Sequence, residues 1–477
     1  MPCPAPPTCR PSRSPCTKSP RRTTRWAPRE SARPAAWARR RPPSTRSSTP
    51  WHRSASPVST CRRRRTGSGG RSAMPGPEQG RSPRRLPMIE GLIQDWPRKV
   101  RHGRGSVARL PELMAEFGRA RAFVVCGRTV ASGPMLESVQ RALGDRLAGV
   151  YDGMTAHTPY ARVMEAAAQF DACGADTVVS VGGGSAIDAG KGIALLRATG
   201  GDFAPYTIDF GARGMERAAM PDPGIAHIAV PTTAGSSSDV MPTAGLRDPE
   251  KRTKLLFWDR RMVPDATILD PEMAIYADPV LSALTGMTAM ARCIESLYAR
   301  TRQPVTTGLA LHGARLLHRA LPRAVEKPDD PDARADCQMA CLMSGVAGIN
   351  TMVCVVHALG HIFGGRHGLQ HGIAHSILLA PAMRRLLPAL GDGQIWVAEA
   401  MGVRTGGLSA DDAGAAAADA MAEMVGALPI PQRLTDVGLT DGDLGPIAAL
   451  AMDDYMMPHV PRPVTAGEVE DLLREVL

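Results

Sequence analysis

A glycine-rich turn between an apolar run and a helical pattern constrains this 477-residue chain more than any other feature. The run DTVVSV has the β-branched composition of a buried strand, and GGGSAIDAGK at 182–191 follows it directly. In such a turn, backbone N–H groups at the start of a helix can bind a pyrophosphate, and Gly182, Gly183 and Gly184 have no Cβ to obstruct its approach. The turn therefore predicts a dinucleotide-binding α/β domain.

Two further observations refine this prediction. Ser185 and Asp188 have the spacing of a capping box, which predicts that they start the helix after the turn. The spacing GGGSxxDxxK differs from the common GxGxxG fingerprint, so the turn alone is a weak signal. A second segment, PTTAGSSSD at 231–239, follows another strand-like run, and its Thr232 and Thr233 join the three glycines, Ser185 and Asp188 as candidate cofactor-binding residues.

The pair of segments resembles the iron-containing alcohol dehydrogenase family, maleylacetate reductases included. The resemblance covers roughly 100–477 and extends to LDPEMA, LTGMTAMARCIESLYA and VHALGHIFGGRHGLQHGIAHSILLAP. HTPY, ESLYAR and PRPVT look specifically like maleylacetate reductases, which reduce a conjugated oxo-diacid with NADH or NADPH. The resemblance implies an α/β N-terminal dinucleotide-binding domain, an all-α C-terminal domain, and an NAD(P)-dependent oxidoreductase that interconverts a carbonyl and an alcohol.

The first 87 residues differ in composition from the rest. They hold 21 of the 57 Lys and Arg side chains and two acids, whereas 88–477 carries 36 basic and 44 acidic side chains. This Pro-, Arg- and Ser-rich stretch lacks apolar periodicity, which predicts a disordered basic tail. It can be interpreted as a nucleic-acid-binding arm, a transit peptide, or out-of-frame translation upstream of the true start. The excess of Arg over Lys favours the third, with Met88 as the candidate start and Met74 as the second candidate.

The periodicity of the remaining chain changes once. Between 88 and 273, β-branched runs alternate with helical ones, which predicts a mostly parallel sheet covered on both faces. The predicted strands are RAFVVCG (121–127), LAGVYDG (147–153), DTVVSV (176–181), IAHIAVP (225–231) and ATILDP (266–271). From 274 to 477 only helical patterns remain, and Thr465 with Glu468 predicts a capping box at the last helix. We therefore expect an α/β NAD(P)-binding domain at 88–273 and a helical catalytic domain at 274–477.

Residues 337–365 contain no Asp, Glu, Lys or Arg, a length that raises the question of a transmembrane helix. Their glycines, Asn350 and two histidines favour a buried core helix instead.

The six cysteines after residue 88 show no CxxC pair and none of the spacings typical of disulfide-bonded secreted proteins, which predicts free thiols in a cytoplasmic protein. We expect a homodimer that binds a small-molecule carbonyl or oxo-acid substrate, with no membrane partner and no nucleic-acid partner for residues 88–477.

The resemblance also identifies candidate metal ligands. Metal-dependent members bind a divalent ion through an Asp and a His at i, i+4 on one helix and through two later His. The later pair matches His357 and His371, whereas the earlier pair falls on Thr288 and Arg292. A Thr hydroxyl is a poor divalent ligand, Arg cannot lose its proton, and a catalytic metal takes about three protein ligands. Catalysis without Fe²⁺ or Zn²⁺ is therefore expected, and a metal on His357 and His371 is the alternative.

Hydride transfer between a nicotinamide and a carbonyl needs a positive group beside the developing oxyanion and a proton donor. We expect Arg292 to supply the charge or to bind a substrate carboxylate, and an ion pair with Glu295 is the structural alternative. His357 and His361, at i, i+4 on one helix face, are the candidate proton donors because imidazole titrates near neutral pH. For any single histidine of this group, a purely structural role is the alternative.

Other residues have less specific interpretations. Gly364 and Gly365 are expected to end the helix of His357, so that Arg366 and His367 lie on a connecting loop. Three positions have plain structural interpretations beside any functional one: Asp188 as a helix cap, Lys191 as a solvated residue and Cys293 as part of the core.

The first predicted strand ends in a sequence that bears on the choice of cofactor. Many relatives carry an Asp there that binds the adenosine ribose, whereas this chain has Cys126, Gly127, Arg128 and Thr129. Without the carboxylate a 2′-phosphate is not rejected, and Arg128 can attract it, so NADPH is expected beside NADH. In the second segment, Ser237 stands at a glycine position of the family, which opposes close backbone approach.

Two other function classes compete with the reductase. A lyase resembling dehydroquinate synthase uses a similar fold with NAD and a metal, and the PTTAGSSSD segment and the missing metal carboxylate argue against it. An inactive NAD(P)-binding protein is the other alternative, which tight cofactor binding without turnover would indicate.

Overall fold

The structure is a computed structural model that describes residues 97–208, 218–248 and 253–477. The basic tail predicted at 1–87 and the candidate starts Met74 and Met88 lie outside the described residues. In chain order the strands are β1 (Val100–His102), β2 (Ala122–Val125), β3 (Leu147–Tyr151), β4 (Thr177–Gly182), β5 (Ala226–Pro231), β6 (Thr243–Asp248), β7 (Thr253–Trp258) and β8 (Ala266–Leu269).

Six of these strands form one parallel sheet in the order β1-β8-β5-β4-β2-β3, which confirms the predicted parallel sheet. The five predicted strands correspond to β2, β3, β4, β5 and β8. The prediction missed β1, a partly exposed edge strand, and the separate antiparallel hairpin of β6 and β7. These segments carry charges such as Arg101 and Arg247, and therefore lack the continuous apolar pattern of a buried strand.

Helices cover both faces of the sheet, as predicted. Phe123 and Val125 pack with residues of α4 and α5, whereas Val124, which points the other way along β2, packs with residues of α1 and α3. The carboxyl ends of the parallel strands consequently share one edge between the two helical layers, where ligands of open α/β sheets bind. These helices are α1 (Leu110–Glu116), α2 (Arg128–Ala131), α3 (Pro134–Leu143), α4 (Tyr160–Ala172), α5 (Gly184–Thr199) and α6 (Pro271–Ala274).

After residue 274 the structure is helical, and its buried apolar side chains form a separate cluster from those on the sheet faces. Several helices begin with an Asp or Gln cap followed by Pro, such as Asp278 before Pro279, because Pro is tolerated where no intrahelical N–H bond is needed. The predicted capping box of Thr465 and Glu468 is confirmed. These helices are α7 (Pro279–Tyr298), α8 (Pro304–Glu326), α9 (Pro331–Thr351), α10 (Val355–His367), α11 (His371–Leu386), α12 (Gly393–Ala400), α13 (Ala410–Gly426), α14 (Asp441–Ala451) and α15 (Ala466–Glu475).

The uncharged stretch 337–365 does not form one core helix, so that prediction is wrong. It is divided between α9 and α10, which meet at an angle of 101°. Met352 has a φ of 60° at the break, and an L-residue in that conformation interrupts a right-handed helix. In the described residues no single helix is both long and apolar enough to cross a membrane, and only the bent pair of α9 and α10 has the required length and composition.

The predicted end of α10 also needs correction. Gly364 and Gly365 continue the helix, and Gly368, with a φ of 68°, ends it. A glycine in the left-handed region is a frequent helix C-cap because it has no Cβ to clash. Arg366 and His367 consequently lie in the last turn of α10 and not on a loop.

Candidate active site

The two glycine-rich segments pack directly against each other at the carboxyl edge of the sheet. Gly182 ends β4 with a φ of 145°, and Gly184 is the first residue of α5. A Cβ on Gly184 would lie 2.8 Å from the Cβ of Ser236, and one on Gly183 would lie 3.4 Å from the Thr233 side chain. The two segments are therefore too closely packed for a side chain on Gly183 or Gly184, and the first N–H groups of α5 lie at this contact, where no preceding helical turn can accept from them.

The other candidate cofactor residues lie along the same edge. Thr232 and Thr233 follow β5, both are buried, and the Thr232 N–H donates to the Gly182 carbonyl over 3.0 Å. Arg128 is the first residue of α2, directly after β2, and is exposed. Because β5, β4 and β2 are consecutive in the parallel sheet, these residues line adjoining ends of three neighbouring strands.

The predicted capping box of Ser185 and Asp188 is wrong. Gly183 occupies the N-cap position, so Ser185 already lies within the first turn of α5. Asp188 instead accepts hydrogen bonds from the Ser238 hydroxyl and from the Gly245 N–H, which connects α5 to the second segment and to β6. The interpretation of Asp188 as only a helix cap is therefore also wrong.

Lys191 is fully buried, so its interpretation as a solvated residue is wrong. Its Nζ donates to the carbonyls of Met241 and Thr243 at 2.8 and 2.6 Å. Burial lowers its pKa to about 8, and the nearby carboxylates of Asp188 and Asp239 oppose this change. Lys191 thus holds the chain beyond the second segment against α5.

Arg292 is buried on α7 and contacts the second segment. Its Nη1 donates to Ser237 Oγ at 2.7 Å, to Ser344 Oγ at 3.2 Å and to the Gly235 carbonyl at 3.4 Å. Nη1 makes all the hydrogen bonds that described residues accept from this side chain. The alternative of an ion pair with Glu295 is wrong, because Glu295 binds a different set of groups.

Glu295 caps α10 and orients His357. Its carboxylate accepts from the N–H groups of Val356 and His357 at 2.8 and 3.3 Å, in the first turn of α10, where Cys354 provides no side-chain cap. The same carboxylate lies 2.5 Å from His357 Nδ1. Burial, reinforced by the Arg292 charge, holds the pKa of His357 well below its usual value. Burial also raises the pKa of Glu295 to about 7, so the two groups share a proton between Nδ1 and the carboxylate, and the low pKa of His357 favours its neutral form with the lone pair on Nε2.

His361 has a different environment one turn further along α10. Its Nδ1 lies 2.9 Å from Oδ2 of Asp454, and its ring stacks on Tyr455 with centroids 5.4 Å apart. The His361 side chain is 28% exposed, whereas that of His357 is 7% exposed. Asp454 therefore orients an imidazole that solvent can still reach.

The histidines of α11 complete a cluster with those of α10. The His375 ring lies 4.1 Å from that of His357, and the His371 ring lies 5.7 Å from that of His361. Both ring nitrogens of His375 and Nε2 of His357 are buried without a hydrogen-bond partner among the described residues. An unpaired buried polar group costs about 1–3 kcal/mol, so this cluster offers unused hydrogen-bonding capacity inside the protein.

One turn of α7 brings the second segment and α11 together. A Cβ on Gly235 would overlap the carbonyl of Thr285, and a Cβ on Gly372 would overlap the carbonyl of Leu284. Only glycine fits at either position, because backbone lies against backbone there. The loop beside the cofactor edge and the helix that begins at His371 are thus placed by adjacent residues of one helix.

Comparison with known proteins decides the family. Residues 97–271 match the model of the iron-containing alcohol dehydrogenase family, and residues 282–477 match the model of the C-terminal region of the same family. The 1,3-propanediol dehydrogenase of Citrobacter freundii is 32% identical over 326 residues, which cover 68% of this chain and 82% of the relative. The chain belongs to the iron-containing alcohol dehydrogenase family.

One further related sequence and one related structure are consistent with this assignment. Maleylacetate reductase 2 of Cupriavidus pinatubonensis is 33% identical over 278 residues, 57% of this chain and 68% of that protein. The crystal structure of 1,3-propanediol oxidoreductase superimposes with a TM-score of 0.75 at 28% identity, covering 81% of this chain and all of that one. Members of this iron-containing alcohol dehydrogenase family are oxidoreductases that act on CH–OH groups, and so is this chain.

The residues present do not fit the divalent-ion site of metal-dependent family members. The Thr288 hydroxyl donates to the Leu284 carbonyl of its own helix at 3.1 Å. Burial lowers the pKa of His357 and of His375, and the nearby positive charge of Arg292 lowers both further. Among the described residues, no three His, Cys, Asp or Glu side chains converge as a metal site. His357 keeps the carboxylate partner typical of a metal-binding histidine, but Thr288 and Arg292 stand at two of the four ligand positions.

Sequence reasoning missed three residues that organise this site. Asp454 lies 93 residues from His361, and no local pattern connects them. The sequence suggests Glu295 only as a partner of Arg292, and it suggests no role for His375. Cys293 is fully buried in the helical core, as expected, and the six cysteines of the described residues are free thiols.

Proposed function

We propose that this protein is an NAD(P)-dependent reductase that interconverts a carbonyl and an alcohol, with oxo-acids of the maleylacetate type as the favoured substrates. One observation carries the proposal. The glycine-rich turn Gly182–Gly184 packs against a segment whose Ser237 contacts Arg292, and the charge of Arg292 adds to the effect of burial on His357 and His375. A dinucleotide site and a cluster of acid–base groups are thereby adjacent.

The residues at the carboxyl edge suit a nicotinamide dinucleotide. The backbone N–H groups from Gly183 to Ser185 would hold the pyrophosphate, and Thr232 and Thr233 would border the same space. When bound, NADH or NADPH supplies the hydride. Exposed Arg128 stands where a ribose-binding carboxylate is absent, which supports use of NADPH as well as NADH.

His361 is the proposed proton donor, in preference to His357. An effective acid–base group needs a proton that it can exchange and access to the substrate. His361 is partly exposed, and Asp454 holds its Nδ1 proton, so that Nε2 exchanges the proton with the substrate oxygen. His357 is held neutral by burial, and its only N–H points to Glu295, so it has no proton to give.

Arg292 is proposed to provide the fixed positive charge. In a buried site a guanidinium stabilises a developing oxyanion or a substrate carboxylate far more than it would in water. Its Nη1 is held by hydrogen bonds to the protein. An acidic group on the substrate would offset this buried charge, which supports an oxo-acid over an uncharged aldehyde.

The proposal includes catalysis without a metal ion, because Thr288 and Arg292 replace two ligands. The contact between Glu295 and His357 favours the metal-dependent alternative, since carboxylates commonly orient metal-binding histidines. A homodimer with cytoplasmic location, without nucleic acid or membrane partners, is proposed on composition alone.

The test uses the purified full-length protein. Metal content is measured by mass spectrometry, and oxidation of NADH and of NADPH is followed with oxo-acids and simple aldehydes, before and after EDTA treatment. We expect turnover that favours oxo-acids and survives EDTA. Tight cofactor binding without turnover on any carbonyl would overturn the reductase assignment. One tightly held metal per chain and loss of activity with EDTA would overturn only the metal-free part.

A further inference from the structure

Two departures from the family pattern contact each other. Ser237 stands at a family glycine position, and Arg292 stands at a family metal-ligand position. Their side chains meet at 2.7 Å, between Oγ and Nη1. Ser237 has a φ of 53°, in the left-handed region that glycine favours, so its serine side chain carries a conformational cost of about 1–2 kcal/mol. A cost of this kind is expected to persist where the side chain has a use.

The Ser237 hydroxyl is fully engaged. It accepts from Arg292 and donates to the Cys341 carbonyl at 2.8 Å, and the residue is completely buried. The residues of the second segment that follow β5 form the 232–239 loop. One hydroxyl thus connects this loop to α7 through Arg292 and to α9 through Cys341.

Two glycines of α9 make room for this contact. A Cβ on Gly345 would lie 2.6 Å from the Cβ of Ser237, and a Cβ on Gly348 would lie 2.5 Å from Cγ of Arg292. Because they are three residues apart, the two glycines lie on one face of α9. They form a slot in which the Ser237 side chain and the Arg292 stem lie side by side.

The loop held in this way is also a wall of the cofactor space. Ser236, next to Ser237, is the residue that a Cβ on Gly184 would meet, and Thr233 is the residue that a Cβ on Gly183 would meet. A displacement of Ser237 would therefore move the side of the space that faces the start of α5.

We infer that Arg292 and Ser237 form a clasp that holds the 232–239 loop against α7 and α9, and that this clasp sets the affinity for the cofactor. Arg292 then acts as a positioning residue through Ser237, in addition to the charge that it provides. The inference rests on the proposed function, because it takes the bound ligand to be NADH or NADPH.

The clasp is tested with Ser237→Ala, which removes the shared hydroxyl and leaves the Arg292 charge in place. Ser282→Ala is the matched control, because Ser282 is an equally buried serine that accepts from Arg334 at 2.5 Å, and its hydroxyl bonds to Ala277 and Asp278 rather than to the loop. Dissociation constants for NADH and NADPH are measured by fluorescence titration without substrate, and melting temperatures are recorded alongside. We expect Ser237→Ala to raise the better of the two constants by about 5–30-fold, and Ser282→Ala to change it by less than about twofold.

A double-mutant cycle separates a clasp from a general loss of structure. Arg292→Ala and the double variant are titrated in the same way, and we expect the double variant to bind no more weakly than the weaker single variant. In steady-state assays, Ser237→Ala should raise the KM for the cofactor by a larger factor than it lowers kcat. Unchanged affinity in a folded Ser237→Ala protein, or additive effects in the cycle, would overturn the clasp. Failure of the natural protein to bind either cofactor would instead overturn the proposed function.

Discussion

Asp454 accepts a hydrogen bond from Nδ1 of His361 over 2.9 Å, although 93 residues separate them in the chain. The carboxylate selects the tautomer in which Nε2 is free to exchange a proton. Stacking on Tyr455 restricts the ring further. The two contacts leave the imidazole one reactive nitrogen in one orientation.

Asp454→Asn tests this orientation. The amide can present its NH₂ to Nδ1 and so stabilise the wrong tautomer, and we expect kcat to fall by on the order of 10²–10⁴-fold. Asp453→Asn is the control, because its neighbour Asp453 is exposed. Both variants are compared by steady-state kinetics and circular dichroism. A kcat within twofold of the natural value in folded Asp454→Asn would exclude His361 as the proton donor.

Glu295→Gln tests the cap of α10. A neutral amide offers one acceptor oxygen where the carboxylate offers two, so at least one N–H of α10 or Nδ1 of His357 loses its partner. We expect the free energy of unfolding to fall by about 1–3 kcal/mol, measured by urea denaturation. The exposed Glu326→Gln variant should stay within about 0.5 kcal/mol of the natural protein. Equal losses in the two variants would show that Glu295 has no special role.

Lys191→Met tests the buried amine through the pH dependence of stability. The folded pKa of about 8 lies below the ordinary value of 10.5, so between these values the unfolded chain binds the extra proton and stability rises with pH. We expect Lys191→Met to lose a rise of about 3 kcal/mol across pH 8–10.5. Unfolding free energies are compared with those of the exposed Lys327→Met variant. Parallel pH profiles for all three proteins would contradict the prediction.

Gly184→Val tests the pyrophosphate space. The new side chain meets Ser236 and fills the approach to the first N–H groups of α5, so we expect the dissociation constant for NAD(P)H to rise by about tenfold or more. Gly308→Val is the control, since a Cβ on Gly308 meets nothing within 4 Å. Fluorescence titration measures both, with melting curves to verify folding. Natural affinity in folded Gly184→Val would mean that the cofactor binds elsewhere.

Thr288→Asp combined with Arg292→His tests the replaced metal ligands. The double variant restores an Asp, His, His, His set with His357 and His371, and it removes the charge that opposes a cation. We expect it to bind Zn²⁺ measurably by equilibrium dialysis, whereas the natural protein and Thr288→Asp alone do not. Zn²⁺ binding by the natural protein at one ion per chain would disprove the loss of the site.

Local patterns predicted the parts of the fold that depend on local physics. The apolar runs of β2, β3, β4, β5 and β8 identify buried strands, and the Thr465 capping box identifies a helix start. The pair of strands β6 and β7 was not predicted, because its charged residues interrupt the apolar pattern of a buried strand. The break at Met352 escaped because no Gly or Pro marks it, and packing imposes that conformation on a residue that does not favour it.

The candidate site was predicted only as far as its motifs reach. The glycines, His357, His361 and Arg292 follow from patterns or from resemblance, whereas their partners come from distant parts of the chain. Glu295 illustrates the limit, because its spacing from Arg292 suggested an ion pair and tertiary structure gave it the first turn of α10 instead. Contacts between remote segments depend on three-dimensional packing, which no spacing rule encodes.

Gly235 and Gly372 lie against neighbouring carbonyls of α7, so backbone contacts position the loop and the start of α11 on this helix. The separation between the loop and the start of α11 is a main-chain dimension, so substitutions among surrounding side chains leave it nearly constant. Ligand positions such as 288 and 292 can therefore change identity while the spacing between the two halves of the site is preserved. The same scaffold can thus tolerate a change of catalytic chemistry without a change of geometry.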